Sequence, residues 1–343
     1  MKKPMSFILS AAVMSMLLVG CSAGTNKSED VSAEEVPVIQ EALASTAEAE
    51  EVTEEDSAGE EAVAEWPRTI VDAAGHEVVL ESMPERITLL HTFYLEHLFA
   101  LGVTPTAASL GNLLGQTESL ESSELFAPYM SGADIMDLGS AREINLEAVL
   151  ESAPDVIITF SIHGGIDEVY DQLTEIAPVI LLDYSDTWQD QLLSCSQIIG
   201  KESKALDVIT EVESTIADAG EQVSQYQDRS YALFRTDGKG FIAVGTPSYY
   251  ETFGLTKPEG YPESSETISL EAVAEMDPYY IVFQHNYEAT TAFVQSLESS
   301  SVWQSLDAVQ NNRIYYFDEN MNSNGPLAMK LTAEKLMELY TEE

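Results

Sequence analysis

From Trp66 onward, short runs of β-branched and aromatic residues alternate with stretches whose apolar positions recur every three or four residues. That alternation predicts strands and helices in turn, and so an α/β protein with mainly parallel sheets flanked by helices. Arg68–Asp72 and His76–Leu80 flank Ala73, Ala74 and Gly75, which predicts a hairpin. Arg86–His91 reads as a strand, followed by a helix from Tyr94 to Leu101 closed by Gly102. A helix over Val169–Ile176, a strand over Val179–Asp183 and a helix over Asp186–Ile199 complete a first half. A longer helix, Lys201–Gln227, follows, with Ala205, Val208, Ile209, Val212, Ile216 and Ala219 at helical spacing. The second half has strands at Tyr231–Phe234, ending in Arg235, and at Phe241–Val244, then a helix near Tyr249–Phe253. A helix over Val302–Val309, a strand over Arg313–Phe317 and a final helix from Pro326 to Tyr340 close the chain.

One pattern occurs twice. Ile144–Phe160 and Ile268–Gln284 share Ile, Leu-Glu-Ala-Val, a second Glu, Pro and Ile at equivalent places. Each reads as a short helix, a terminating Pro and a buried strand. Leu146, Val149 and Leu150 are expected on the apolar face of the first helix and Leu270 and Val273 on that of the second, which leaves Glu147 and Glu271 toward water. The expected architecture is thus two lobes, 66–200 and 228–343, joined by one stiff helix, 201–227.

The N-terminus changes the picture. Lys2 and Lys3 precede an apolar run, Phe7–Val19, too short for a comfortable span, so residues 1–20 read as an export signal. Residues 21–65 carry fourteen acidic residues between Glu29 and Glu65 with no basic residue among them, the composition of a self-repelling, extended tether. The whole chain has a formal net charge of −44. Phosphate backbones and anionic lipid surfaces are therefore poor partners, and nucleic-acid binding is not expected. Of two cysteines, Cys21 stands directly after the signal, and Cys195 falls on an apolar helix face as a packed core thiol.

In open α/β sheets, ligands bind beyond the carboxyl ends of the strands. The residues there are His91, Phe93 and Tyr94, the turn 161–165 with His163, Asp183 and Tyr184 with Trp188, Arg235, Tyr249 and Tyr250, His285 and Tyr287, and the Asn-rich loop from Glu319 to Asn324. His91, His163 and His285 leave two readings open, direct coordination of a transition metal or a polar pocket wall. Short-spaced ligand pairs are absent, as are nucleophile elbows, phosphate loops and His-Glu-x-x-His, so no catalytic residue, metal site or cofactor is assigned.

Leu18-Val19-Gly20-Cys21 resembles the bacterial lipobox, which implies lipidation of Cys21 and anchoring at the extracytoplasmic face of the cell membrane. Asp72–Gly75, Pro84-Glu85-Arg86-Ile87, Phe99–Val103, Asp137-Leu138-Gly139, Asn145–Ala148, Pro154-Asp155, Ile176-Ala177-Pro178, the long helix, Glu271 and Val302–Trp303 with Ala308–Tyr315 together resemble the iron–siderophore and cobalamin substrate-binding proteins of ABC importers. Within that family the stretch resembles the ferric citrate and ferric hydroxamate binders most, which implies a ligand contact from Arg142, one residue displaced from the family's Arg after Gly139. The resemblance implies a monomeric, bilobed, non-enzymatic protein with a rigid interlobe helix and a shallow cleft. It would capture a ferric siderophore and deliver it to an ABC permease dimer and its ATPase, with Glu147 and Glu271 meeting permease arginines. The alternatives are haem, cobalamin or a bare transition-metal ion as ligand, or a metalloenzyme on the same scaffold.

Overall fold

The computed structural model describes residues 65–111 and 118–341, which belong to one unit, Gly59–Glu343. The expected signal 1–20, Cys21 and the 21–65 tether up to residue 64 lie outside the described residues. Strands β1 (Arg68–Val71) and β2 (Glu77–Leu80) form the expected antiparallel hairpin, with Gly75 at φ +85 in its turn. Strands β3 (Ile87–Leu89), β4 (Ala107–Ala108), β5 (Met136–Asp137), β6 (Val156–Phe160) and β7 (Val179–Leu182) make a parallel sheet in the order β5-β4-β3-β6-β7. The second sheet holds β8 (Tyr231–Thr236), β9 (Phe241–Ala243), β10 (Glu266–Ile268), β11 (Tyr280–Gln284) and β12 (Ile314–Phe317) in the order β10-β9-β8-β11-β12. Here β8, β11 and β12 are parallel, whereas β9 runs antiparallel to both neighbours. Each sheet anchors one lobe of an α/β fold.

The two repeats carry the same start signal. Asn145 Oδ1 accepts from Ala148 N and opens the helix Leu146–Glu151, while Ser269 Oγ accepts from Ala272 N and opens Leu270–Met276. Every residue of the strands that follow, β6 and β11, is buried, as expected of strands covered on both faces.

Several expectations need correction. Leu150 is 63% exposed and does not join the core with Val149. The helix expected over Val302–Val309 breaks at Leu306, whose extended backbone (ψ 132) separates Ser301–Ser305 from Asp307–Gln310. Leu306 is buried there, and the Asp307 N–H is taken by Asp277 Oδ1. Arg235 lies within β8 rather than after it, because the strand continues into its pairing with β9, Arg235 opposite Ile242.

The connecting helix, Glu202–Val223, spans about 33 Å at 1.5 Å per residue and ends in a 3₁₀ turn, Ser224–Tyr226. It buries Ala205, Val208, Val212, Ala219 and Val223. One apolar core runs through it, from Leu89 and Ile158 of the first sheet to Tyr231 and Phe283 of the second. The sequence reading expected a single connection, but the C-terminal helix, Pro326–Leu339, provides another. It packs on the connecting helix and on the first-lobe helices Leu95–Ala100 and Trp188–Ile199. Lys330 pairs with Glu211 at 2.5 Å, Lys335 with Glu124 at 2.7 Å, and Gln222 Nε2 donates to the Met337 carbonyl at 2.6 Å.

The start of that helix rests on a carboxylate from the other lobe. Glu96 is fully buried, and its Oε2 accepts from Ala328 N at 3.0 Å. The N–H groups of Gly325 and Leu327 and the Ser323 hydroxyl lie nearby and favour its charged form, although Glu96 Oε1 and Ser323 Oγ make no hydrogen bond. Four helix-terminal N–H groups lack intrahelical partners, so a buried acceptor here satisfies donors that water cannot reach. Burial nevertheless outweighs these donors and pushes the Glu96 carboxyl up to about 7. Gly325 is required by this contact, since a Cβ there would lie 2.2 Å from the Glu96 carboxyl carbon.

Because the folded pKa is raised, Glu96 contributes stability that is present below about pH 4.5 and lost as pH rises through about 7, on the order of 3 kcal/mol in all. Chemical denaturation from pH 5 to 8 should show wild type losing stability relative to Glu96→Gln across that window, and a constant difference would refute the assignment. Gly325→Ala should lower stability by about 2–4 kcal/mol in the same assay, through displacement of the Glu96 carboxyl.

Candidate ligand-binding site

Strand order fixes where a crevice opens. In the first sheet β3 leads outward to β4 and β5 on one side, while β6 and β7 lie on the other; the order reverses between β3 and β6. In the second it reverses between β8 and β11. Ligands settle at such points, beyond the carboxyl ends of the strands. His91 and His163 follow β3 and β6, and Arg235 and His285 end β8 and follow β11.

The first-lobe wall is aromatic. His91 is half-buried, with Phe93 and Phe160 beside it and Tyr184 packed on both phenyl rings at 4.7 and 5.1 Å between centroids. Tyr184 is 45% exposed, and Trp188 is half-buried at the start of its helix. Phe93 N donates to His91 Nδ1, which leaves the ring proton on Nε2. Burial, then the neighbouring His163, lower the His91 pKa to about 4, so this imidazole is neutral. His163 is buried, with Nδ1 2.7 Å from Thr159 Oγ1 and Nε2 donating to the Ala141 carbonyl at 2.5 Å. It ties down the loop that carries the exposed Arg142, and it does not reach the cleft.

These hydrogen bonds leave neither first-lobe histidine free to bind a bare metal ion. A histidine ligand needs one free ring lone pair with the other nitrogen donating. On His91 the lone pair is used by Phe93, and on His163 both nitrogens are engaged. Among the described residues no group of three or more His, Cys, Asp or Glu is placed to hold a metal ion.

Three more expected contacts are relocated. Tyr94 is fully buried beneath Phe93 and is a supporting core residue. Tyr250 is buried, its hydroxyl donating to the Tyr231 carbonyl at 2.9 Å. Tyr249 is half-buried with its hydroxyl 3.3 Å from that of Tyr231, the first residue of β8. The cause is the direction of β9, whose antiparallel course delivers the helix Pro247–Phe253 to the amino end of β8, opposite the cleft.

The second-lobe wall carries the polar groups. Arg235 and His285 are both half-buried, and Arg235 Nε and His285 Nδ1 are shielded from water with no hydrogen-bond partner. Burial first and then Arg235 lower the His285 pKa. Tyr287 is 64% exposed and packs edge-on against Tyr316 at 5.4 Å. Phe160 and Tyr316 were missed in the sequence, although they are the last residue of β6 and the penultimate residue of β12, where the same rule finds ligand contacts; Glu319, just beyond β12, was among the expected residues.

Glu147 and Glu271 are exposed at the second position of their capped helices. Each helix follows the edge strand of its sheet, β5 or β10, on the rim where the carboxyl ends of β3 and β8 emerge. A cavity of about 470 Å³, lined by Lys239, Phe241, Leu270, Glu271 and Phe293, lies on that outer edge and apart from the switch-point residues.

Comparisons with known proteins agree with this geometry. The chain is 24% identical over 292 residues to the probable siderophore-binding lipoprotein YfiY of Bacillus subtilis, covering 77% of this chain and 84% of that one. It is 24% identical over 261 residues to the Fe(3+)-citrate-binding protein YfmC of the same organism, covering 74% and 79%. Its fold matches the crystal structure of Staphylococcus aureus SirA complexed with staphyloferrin B, with a TM-score of 0.62 at 20% identity, over 80% of this chain and 99% of that one. The periplasmic binding protein family model matches residues 87–321, and the chain belongs to that family.

Proposed function

We propose that this protein is a substrate-binding lipoprotein that captures a ferric siderophore outside the cytoplasm and delivers it to an ABC permease and its ATPase. The observation that carries this reading is that in each lobe the switch point and one exposed glutamate, second in its capped helix, lie on the carboxyl side of the same sheet. Relatives named for siderophore and ferric citrate binding support the choice of ligand. The protein acts as a monomer, with lipid on Cys21 holding it to the membrane and residues 21–65 serving as its tether. His91, Arg142, Tyr184, Trp188, Arg235, His285 and Tyr287, with Phe93 and Phe160, supply the contact surface, an aromatic wall facing a polar one.

Glu147 and Glu271 present carboxylates to cationic side chains of the permease dimer, where complementary charge sets orientation and encounter rate. In cells using a ferric siderophore as sole iron source, Glu147→Arg combined with Glu271→Arg should abolish uptake of the radiolabelled chelate. The purified variant should bind the same chelate within about twofold of wild type; equal loss of both would show that these residues belong to the cleft. Cys21→Ser should move the protein from the membrane fraction to a soluble extracytoplasmic fraction on immunoblots, and unchanged membrane retention would overturn the lipid anchor.

A further inference from the structure

The parallel strands β8, β11 and β12 bring three polar side chains to one end of the second sheet: Arg235, His285 and, two residues beyond Phe317, Glu319. Asp318, between β12 and Glu319, is committed elsewhere. Its Oδ1 accepts from Asn320 N at 2.8 Å, and its Oδ2 reaches the first lobe, accepting from Ser123 Oγ at 2.5 Å and Leu125 N at 3.3 Å. The Glu319 carbonyl accepts from Asn322 Nδ2 at 2.6 Å. With the turn held at both ends, Glu319 is the carboxylate left to the cleft. It is half-buried and electrostatically coupled to Arg235, yet the two form no ion pair among the described residues. Arg235 thus keeps an unmet, buried Nε–H while a neighbouring carboxylate is coupled to it without an ion pair.

The other charges sharpen this. Of the twelve Lys and Arg residues from Trp66 onward, six are in ion pairs among the described residues: Arg68, Arg86, Lys257, Arg313, Lys330 and Lys335. Arg229 stacks on Tyr226 and Tyr279, Lys201 and Lys204 begin the connecting helix, and Lys239 borders the outer cavity. Arg142 and Arg235 remain for the rim, against Asp183 and Asp186 after β7 and Glu319 after β12. A multiply anionic chelate would meet more carboxylates than cations there, and like-charge contacts reject a partner as effectively as good contacts select one.

We propose that Glu319 is a specificity-determining residue of the cleft. Together with Arg235 it selects an uncharged or cationic ferric hydroxamate, whose oxygens accept from Arg235 and whose ammonium or amide N–H donates to Glu319, and it disfavours ferric citrate and ferric tris-catecholates. This rests on the siderophore-binding reading above and names the ligand class within it.

The test is fluorescence titration of the detergent-solubilised full chain with ferrioxamine B, which carries a free ammonium, with uncharged ferrichrome, with ferric citrate and with a ferric tris-catecholate. Wild type should bind both hydroxamates at least about tenfold more tightly than either anionic chelate. Glu319→Gln should weaken ferrioxamine B by about fivefold to tenfold, change ferrichrome by less than about twofold and strengthen ferric citrate. Glu319→Ala should give the same order, and circular dichroism would establish that both variants are folded. Wild-type preference for an anionic chelate, or equal affinities in wild type and variants, would overturn the role of Glu319 while leaving siderophore binding intact. Failure of all four chelates to bind would overturn the siderophore reading itself.

Discussion

The geometry of the cleft depends on a core that the two lobes share. Val212 and Ala219 of the connecting helix and Ala328, Ala333 and Leu336 of the C-terminal helix belong to the same apolar cluster as the inner faces of both sheets. Close-packed interiors resist small displacements, because each shift opens gaps that forfeit dispersion contacts. Rotation of one lobe against the other would also have to withdraw Glu96 from the first turn of the C-terminal helix and part Asp318 from Ser123 and Leu125. The relative position of the two walls is thus a property of the folded chain before any ligand arrives.

Against that fixed frame the walls divide the work. Phe93, Phe160 and Tyr184 offer area with little rotamer freedom to lose, and the neutral His91 adds a donor without adding charge. The opposite wall holds Arg235 and His285 with polar atoms already stripped of water and unpaired. Such groups are costly until a ligand meets them, so they favour molecules with acceptors in the right places over those without.

Most of the fold was legible, because long apolar periodicities and the duplicated Leu-Glu-Ala-Val helices determine which faces are buried. Glu147 and Glu271 could be placed from cap and spacing alone. The misses have a common origin in pairing that one-dimensional patterns do not record. Ala107–Ala108, Met136–Asp137 and Glu266–Ile268 are too short to show a period, yet the last two each form an edge of a sheet and the first joins its edge strand to β3. Taking the end of the Phe241–Val244 strand as a cleft-side end put Tyr249 and Tyr250 at the wrong end, and the antiparallel course of that strand accounts for both. His163 and Tyr94 follow or adjoin a strand end as expected, but their side chains turn inward to satisfy Thr159, Ala141 and the core. Leu150 was assigned by helical spacing, and its exposure shows that a six-residue helix has room for only a narrow buried stripe.

The adjacency of Asp318 and Glu319 has a mechanical corollary. One carboxylate stitches the lobes together and the next, on the same short turn, borders the binding groove, so a guest that pulls on the second strains the seam held by the first. A backbone change anywhere in Glu319–Ser323 would therefore disturb the Asp318 contacts to Ser123 and Leu125 together with the position of Glu319, so groove and seam cannot be altered independently through this turn.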